Sequence, residues 1–153
     1  MSRYCPLKDG PALYPECQEC EPKICQHSDV FYCLVVGSRT FTDYALLKQK
    51  LDHLLQNYEK IVIVSGGAAG ADRLAERYAA EKDYFFVCFP ADWSKGRTAG
   101  YERNAKMHQY IAQFPHRGVV AFWDGKSKGT AHSFSLSKKY KNPMKTIMIG
   151  GKE

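Results

Sequence analysis

Along the chain, short apolar runs alternate with stretches whose apolar residues recur every three or four positions. FYCLVVG (31–37), KIVIVSG (60–66), YFFVCFP (84–90), GVVAFW (118–123) and KTIMIG (145–150) are apolar at nearly every position. Strands covered on both faces of a parallel sheet have this pattern. Between them, Tyr44, Leu47, Leu51, Leu54 and Tyr58 fall at helical spacing, as do Ala71, Leu74, Ala75, Tyr78 and Ala79, and then Met107, Tyr110, Ile111 and Phe114. A fourth, more polar helix is expected over 130–140. Strand and helix alternating five times predict an α/β fold: a Rossmann-like, doubly wound, mainly parallel five-stranded sheet with right-handed crossovers. There is no internal repeat and no low-complexity segment.

The pattern starts only near residue 30. Residues 1–29 hold Cys5, Cys17, Cys20 and Cys25 among four prolines and follow neither period, so two units are expected: a small Cys-rich N-terminal extension (1–29) and the α/β domain (30–153). The whole chain, at 153 residues, is long enough for one substantial core. MSRYCPLKDG lacks the apolar centre of a signal peptide, and no segment reaches the roughly 18 apolar residues of a membrane span. A cytoplasmic protein without a membrane partner is therefore expected. In that reducing compartment clustered cysteines point to a metal before disulfides. Cys17-x2-Cys20, with Cys5 upstream and Cys25 downstream, supplies four thiolates, enough to close a structural zinc site. An iron–sulfur cluster, free thiols, or His27 replacing one cysteine are the alternatives. No redox cofactor is assigned.

Ligands of an open parallel sheet bind beyond the carboxyl ends of its strands, and the unusual residues follow the strands. Gly37, Ser38 and Arg39 follow the first. SGGAAGAD follows the second, with Ser65, Gly67 and Gly70 spaced as in the G-x-G-x-x-G phosphate fingerprint, Gly66 beside them and Asp72 in the first helical turn. A phosphate cradle and a tight turn with close helix packing are equally good readings of this segment, and Asp72 reads as a cap or a ligand contact. Asp92 and Trp93 follow the third strand, placed to meet a ribose and stack on a base. Asp124, Gly125, Gly129 and Thr130 follow the fourth. Arg103 and Asn104, at the start of the third helix, are expected to face the same crevice, where an arginine grips phosphate through its planar fork. His108, His116 and His132 read as surface residues, and Cys33 and Cys88 as small core residues. The formal charge of +6 favours an anionic ligand. The cluster of Lys138, Lys139, Lys141 and Lys145 reads as a solvated helix end.

The ordered segments VVGSRTFTDY, VSGGAAGADRLAERYA, FPADWSKGRTAGYERNAKM and VVAFWDGKSKGT resemble the YspA and cpYpsA-related members of the SLOG superfamily over about residues 31–140. The resemblance implies a Rossmann-like fold and a site for a nucleotide or nucleotide-derived ligand of the AMP, NAD or ADP-ribose type, for sensing or N-glycosidic processing. The wider superfamily contains the LOG phosphoribohydrolases and DprA, which binds single-stranded DNA. Arg103 and Met107 match the LOG helix motif. In the motif P-G-G-x-G-T-x-x-E, Gly129 and Thr130 match, but Ser133 stands in place of the catalytic glutamate, and a serine cannot act as a carboxylate toward a ribose cation. If the chain is an enzyme, Asp92, Asp124 and Arg103 are the candidate catalytic residues, with Asp72 as a further carboxylate. The alternative is a DprA-like nucleic-acid-binding module with a zinc knuckle. Homo-oligomer formation is left open.

Overall fold

The structure, a computed structural model, describes residues 30–92, 94, 96 and 98–149. The Cys-rich extension with Cys5, Cys17, Cys20 and Cys25, and Trp93, lie outside the described residues.

The elements are β1 (Phe31–Gly37), α1 (Tyr44–Leu55), β2 (Ile61–Ser65), α2 (Ala71–Lys82), β3 (Phe85–Cys88), α3 (Ala99–Ala112), β4 (Arg117–Trp123), α4 (Lys128–Tyr140) and β5 (Met144–Met148). The strands form one sheet in the order β3-β2-β1-β4-β5, and every neighbouring pair is parallel. The chain winds outward from β1 through β2 to β3, then returns past β1 to β4 and β5. The strand order therefore reverses between β1 and β4, and the expected Rossmann-like fold is present.

Side chains alternate across a strand, so each strand feeds two cores. Cys33 and Val35 pack with Ile63, Val120 and Phe122 under Leu47, Leu51 and Leu55 of α1 and Ala75, Tyr78 and Ala79 of α2. Tyr32, Leu34 and Val36 pack with Val62, Val64, Val119 and Ala121 under Met107, Tyr110 and Ile111 of α3. In β2 every residue is buried, as a strand with neighbours on both sides and helices on both faces requires.

At the sheet edges burial is less complete than the apolar runs suggested. Of β5, only Ile147 is buried, because an edge strand has a neighbour on one side only. Cys88, expected in the core, is exposed at the end of the other edge strand, β3. His108, expected at the surface, is fully buried. Its Nδ1 lies 3.1 Å from Nδ2 of Asn142, and burial holds its pKa down at about 4. Tyr58 falls beyond the end of α1 and stacks on Phe31, with ring centres 4.4 Å apart. Lys138, Lys139 and Lys141 are exposed at the carboxyl end of α4, where cations complement the helix dipole. Among the described residues no helix is long and apolar enough to cross a membrane.

Candidate functional site

The loops after β1 and β4 meet at the point where strand order reverses. Ser38, almost fully buried, joins them: its Oγ accepts from the Asp124 N–H at 3.1 Å, and its carbonyl accepts from Ala71 N–H at the start of α2. A Cβ on Gly37 would lie 2.6 Å from the Cβ of Ala71 and 2.7 Å from the carbonyl of Phe122. Only glycine allows α2 to approach the sheet this closely.

The SGGAAG loop is built around its own carboxylate. Asp72 is 7% exposed and accepts from Ala68 N–H at 3.1 Å. Ser65, fully buried, donates its hydroxyl to the Asp72 carbonyl and accepts weakly from Gly67 N–H. Gly70 has φ +79°, and a Cβ there would collide with the backbone of Ser38 and Arg39. Gly70 thus seats the loop against the end of β1. Burial pushes the Asp72 carboxyl up to about 6, against the hydrogen bond from Ala68 and the nearby Arg103 and Arg39, which favour its charged form.

Arg103 projects from the first turns of α3 across this loop. Its Nη1 donates to the Gly66 carbonyl at 2.7 Å and its Nε to Oδ1 of Asn104 at 2.9 Å. Burial lowers its pKa, Asp72 opposes that, and the field of Arg39 adds to the lowering. Asn104 in turn donates to the Gly129 carbonyl, which ties α3 to the start of α4. There Ser127 caps the helix by accepting from Thr130 N–H. The Asp124 carboxylate accepts from Lys126 N–H and Ser127 N–H at 2.8 and 2.9 Å, which holds its pKa below the usual range. Gly125, with φ +83°, makes the turn between them.

These groups line an open cavity of about 340 Å³ that brings together Gly37, Ser38, Arg39, Asp72, Arg103, Asn104, Asp124, Gly129 and Thr130. Gly66 and Gly67 instead line a neighbouring cavity of about 410 Å³, again with Arg39 and Arg103. Ser65, Gly70 and Gly125 line neither cavity. Asp92 is exposed and lines neither; its Oδ1 accepts from the N–H and hydroxyl of Ser94. The first cavity also holds groups that the strand-end pattern did not single out as ligand contacts, among them Thr40, Ser127 and Ser133. Ser133 is fully buried and its hydroxyl has no hydrogen-bond partner among the described residues. Its position one turn after Thr130 on the same helix face was a usable signal. The cavity offers guanidinium groups for an oxyanion, and hydroxyls, an amide and two carboxylates for sugar hydroxyls. No cluster of three His, Cys, Asp or Glu suited to a metal is found among the described residues.

Comparison with known proteins gives three findings. The family model of the YspA, cpYpsA-related SLOG family matches residues 32–96. The Gene 61 protein of Mycobacterium phage D29 is 34% identical over 113 residues, covering 69% of this chain and 87% of that protein. Among solved structures, DNA processing protein A from Helicobacter pylori, known for a single-stranded DNA binding mode, is 22% identical with a TM-score of 0.56, over 80% of this chain and 68% of that one. DprA from Streptococcus pneumoniae is 20% identical with a TM-score of 0.55, over 78% of this chain and 51% of that one. At these identities the two structures show a shared fold.

Proposed function

The chain belongs to the YspA, cpYpsA-related SLOG family, and from that premise we propose that the cavity between β1 and β4 binds a nucleotide unit, with its phosphate on Arg39 and Arg103. The observation that carries this reading is the convergence of both arginines on one cavity at the strand-order reversal, where α/β sheets hold their ligands. Asp124 and Asn104 are the partners for ribose hydroxyls.

Two sources can present such a unit. A single-stranded nucleic acid is the better supported, by the two DprA structures that share the fold and by the chain's formal charge of +6. A free nucleotide of the AMP, NAD or ADP-ribose type, for sensing or N-glycosidic processing, is supported by the hydroxyl-lined cavity of about 340 Å³, within the range of small-molecule sites.

The test is fluorescence anisotropy with a labelled oligo-dT and calorimetry with AMP, each at low and moderate salt. Strand binding should weaken with salt, with a log–log slope of about −0.7 per phosphate contact; AMP alone binding at moderate salt supports the free nucleotide. Arg103→Ala should weaken whichever ligand binds by about tenfold to a hundredfold, from loss of a charge-assisted hydrogen bond of about 1.5 to 3 kcal/mol. If neither ligand binds at millimolar concentration, the reading is wrong.

A further inference from the structure

The cavity at the strand-order reversal does not stand alone. A second cavity, of about 410 Å³, opens over the ends of β2 and β3. The two share Arg39, Ala68 and Arg103, so the arginines form the wall between them and face both sides. We propose that the two cavities together hold a ligand with two nucleoside-sized parts joined through phosphate, the linkage seated on Arg39 and Arg103. This rests on the nucleotide reading above and extends it to the length and class of the ligand.

The linings of the two chambers differ in a way that suits such a molecule. The first carries hydrogen-bonding groups: Asp124, Asn104, Thr130, and Ser133, whose buried hydroxyl has no partner among the described residues. A sugar with free hydroxyls matches that set. Apart from the shared arginines, the second is walled by Gly66, Gly67, Ala68, Ala69, Pro90 and Ala91. Among the described residues it offers no carboxylate or hydroxyl side chain, and a weakly polar surface suits the face of a base. The wall between them matches a linkage in charge as well. Arg39 and Arg103 lie close enough for each other's field to act on Arg103, and Asp72 is the carboxylate beside both. The two guanidinium groups present positive charge to a phosphate linkage, with the Asp72 carboxylate beside them.

Two sources share this chemistry: consecutive nucleotides of a single strand, and a free dinucleoside diphosphate. Calorimetry on the full chain separates them, using dTMP against d(pTpT) in one arm and AMP against NAD in the other. In the arm that matches the source, the two-part ligand should bind at least tenfold more tightly than its one-part counterpart, at one per chain. Ala91→Trp, which fills the second chamber, should bring that ratio close to one. A mononucleotide that binds as tightly as both two-part ligands overturns the two-chamber site while leaving the nucleotide reading intact, and so does a tenfold ratio that survives Ala91→Trp. If none of the four ligands binds, both fall together.

Discussion

Replacing Asp72 by asparagine tests whether the loop after β2 carries its carboxylate for function or for stability. The side chain is 7% exposed, and burial, against opposing hydrogen bonds and arginines, raises its pKa from 3.8 to about 6. About two pKa units correspond to about 3 kcal/mol by which the fold disfavours the ionised form. The sign follows from the raised value. Below pH 4 the group is protonated in both folded and unfolded chains and costs nothing. Between about pH 4 and 6 the unfolded chain gives up its proton first, so stability falls as pH rises, and above about 6 the full cost is present. Asparagine removes the charge but still accepts from Ala68 N–H through its carbonyl, while its NH2 replaces the second acceptor oxygen, a loss of about 1 kcal/mol. Asp72→Asn should therefore be more stable than the wild type by about 1 to 2 kcal/mol at pH 7.5, and slightly less stable at pH 3.5. Urea denaturation of both proteins at the two pH values measures this through the shift in midpoint. A variant less stable by more than about 1 kcal/mol at pH 7.5 would show that the carboxylate's hydrogen bond to the loop and its attraction to Arg103 outweigh its desolvation, and that Asp72 is a structural keystone of the SGGAAG turn. The expected gain would instead mark a charge kept at a cost to stability, as groups at binding sites commonly are.

Two further expectations follow from the same framework. Gly70→Ala combines a left-handed backbone with a Cβ driven into the Ser38–Arg39 backbone and should cost at least about 2 kcal/mol, whereas Gly129→Ala, at the start of α4 with open space around its Cβ, should gain up to about 1 kcal/mol; equal denaturation midpoints for the two variants would contradict the packing described. For the N-terminal extension, Cys5, Cys17, Cys20 and Cys25 are expected to hold one zinc ion, seen in native mass spectrometry as one metal per chain that a strong chelator removes, and a zinc-supplied protein that stays metal-free with all four thiols freely alkylated would rule the site out.

How far the sequence reveals this fold depends on whether a feature is local. Strand and helix periods are local, and the runs FYCLVVG and KIVIVSG became the buried strands β1 and β2 within a residue at each end. Edge position is not local. KTIMIG reads as apolar as KIVIVSG, yet β5 exposes Lys145, Thr146 and Met148 because sheet order, which no short window encodes, leaves it one neighbour. His108 misleads for a related reason. The stripe Met107, Tyr110 and Ile111 correctly faces the sheet, but α3 also packs against α4, so its buried arc widens to take in a histidine whose Nδ1 meets Asn142.

The glycine segment shows where the same limit meets function. Its spacing fits both a phosphate cradle and a tight turn, and only the fold reveals that Asp72 already takes an amide of the loop and that Gly70 lies against the backbone of Ser38 and Arg39. The glycines therefore have a role separate from contacting a phosphate through their own N–H groups. They let the loop after β2 lie against the loop after β1, and Gly66 leaves room for Arg103, whose guanidinium a Cβ there would strike. That close approach is what brings Arg39 and Arg103, from opposite ends of the chain's first winding, to one wall between two cavities. The fingerprint spacing thus lies at the sheet edge where the two cavities open, while the charges proposed to grip an anion come from its neighbours. A motif read along the chain points to an edge of the sheet, and packing across the sheet decides which atoms meet there.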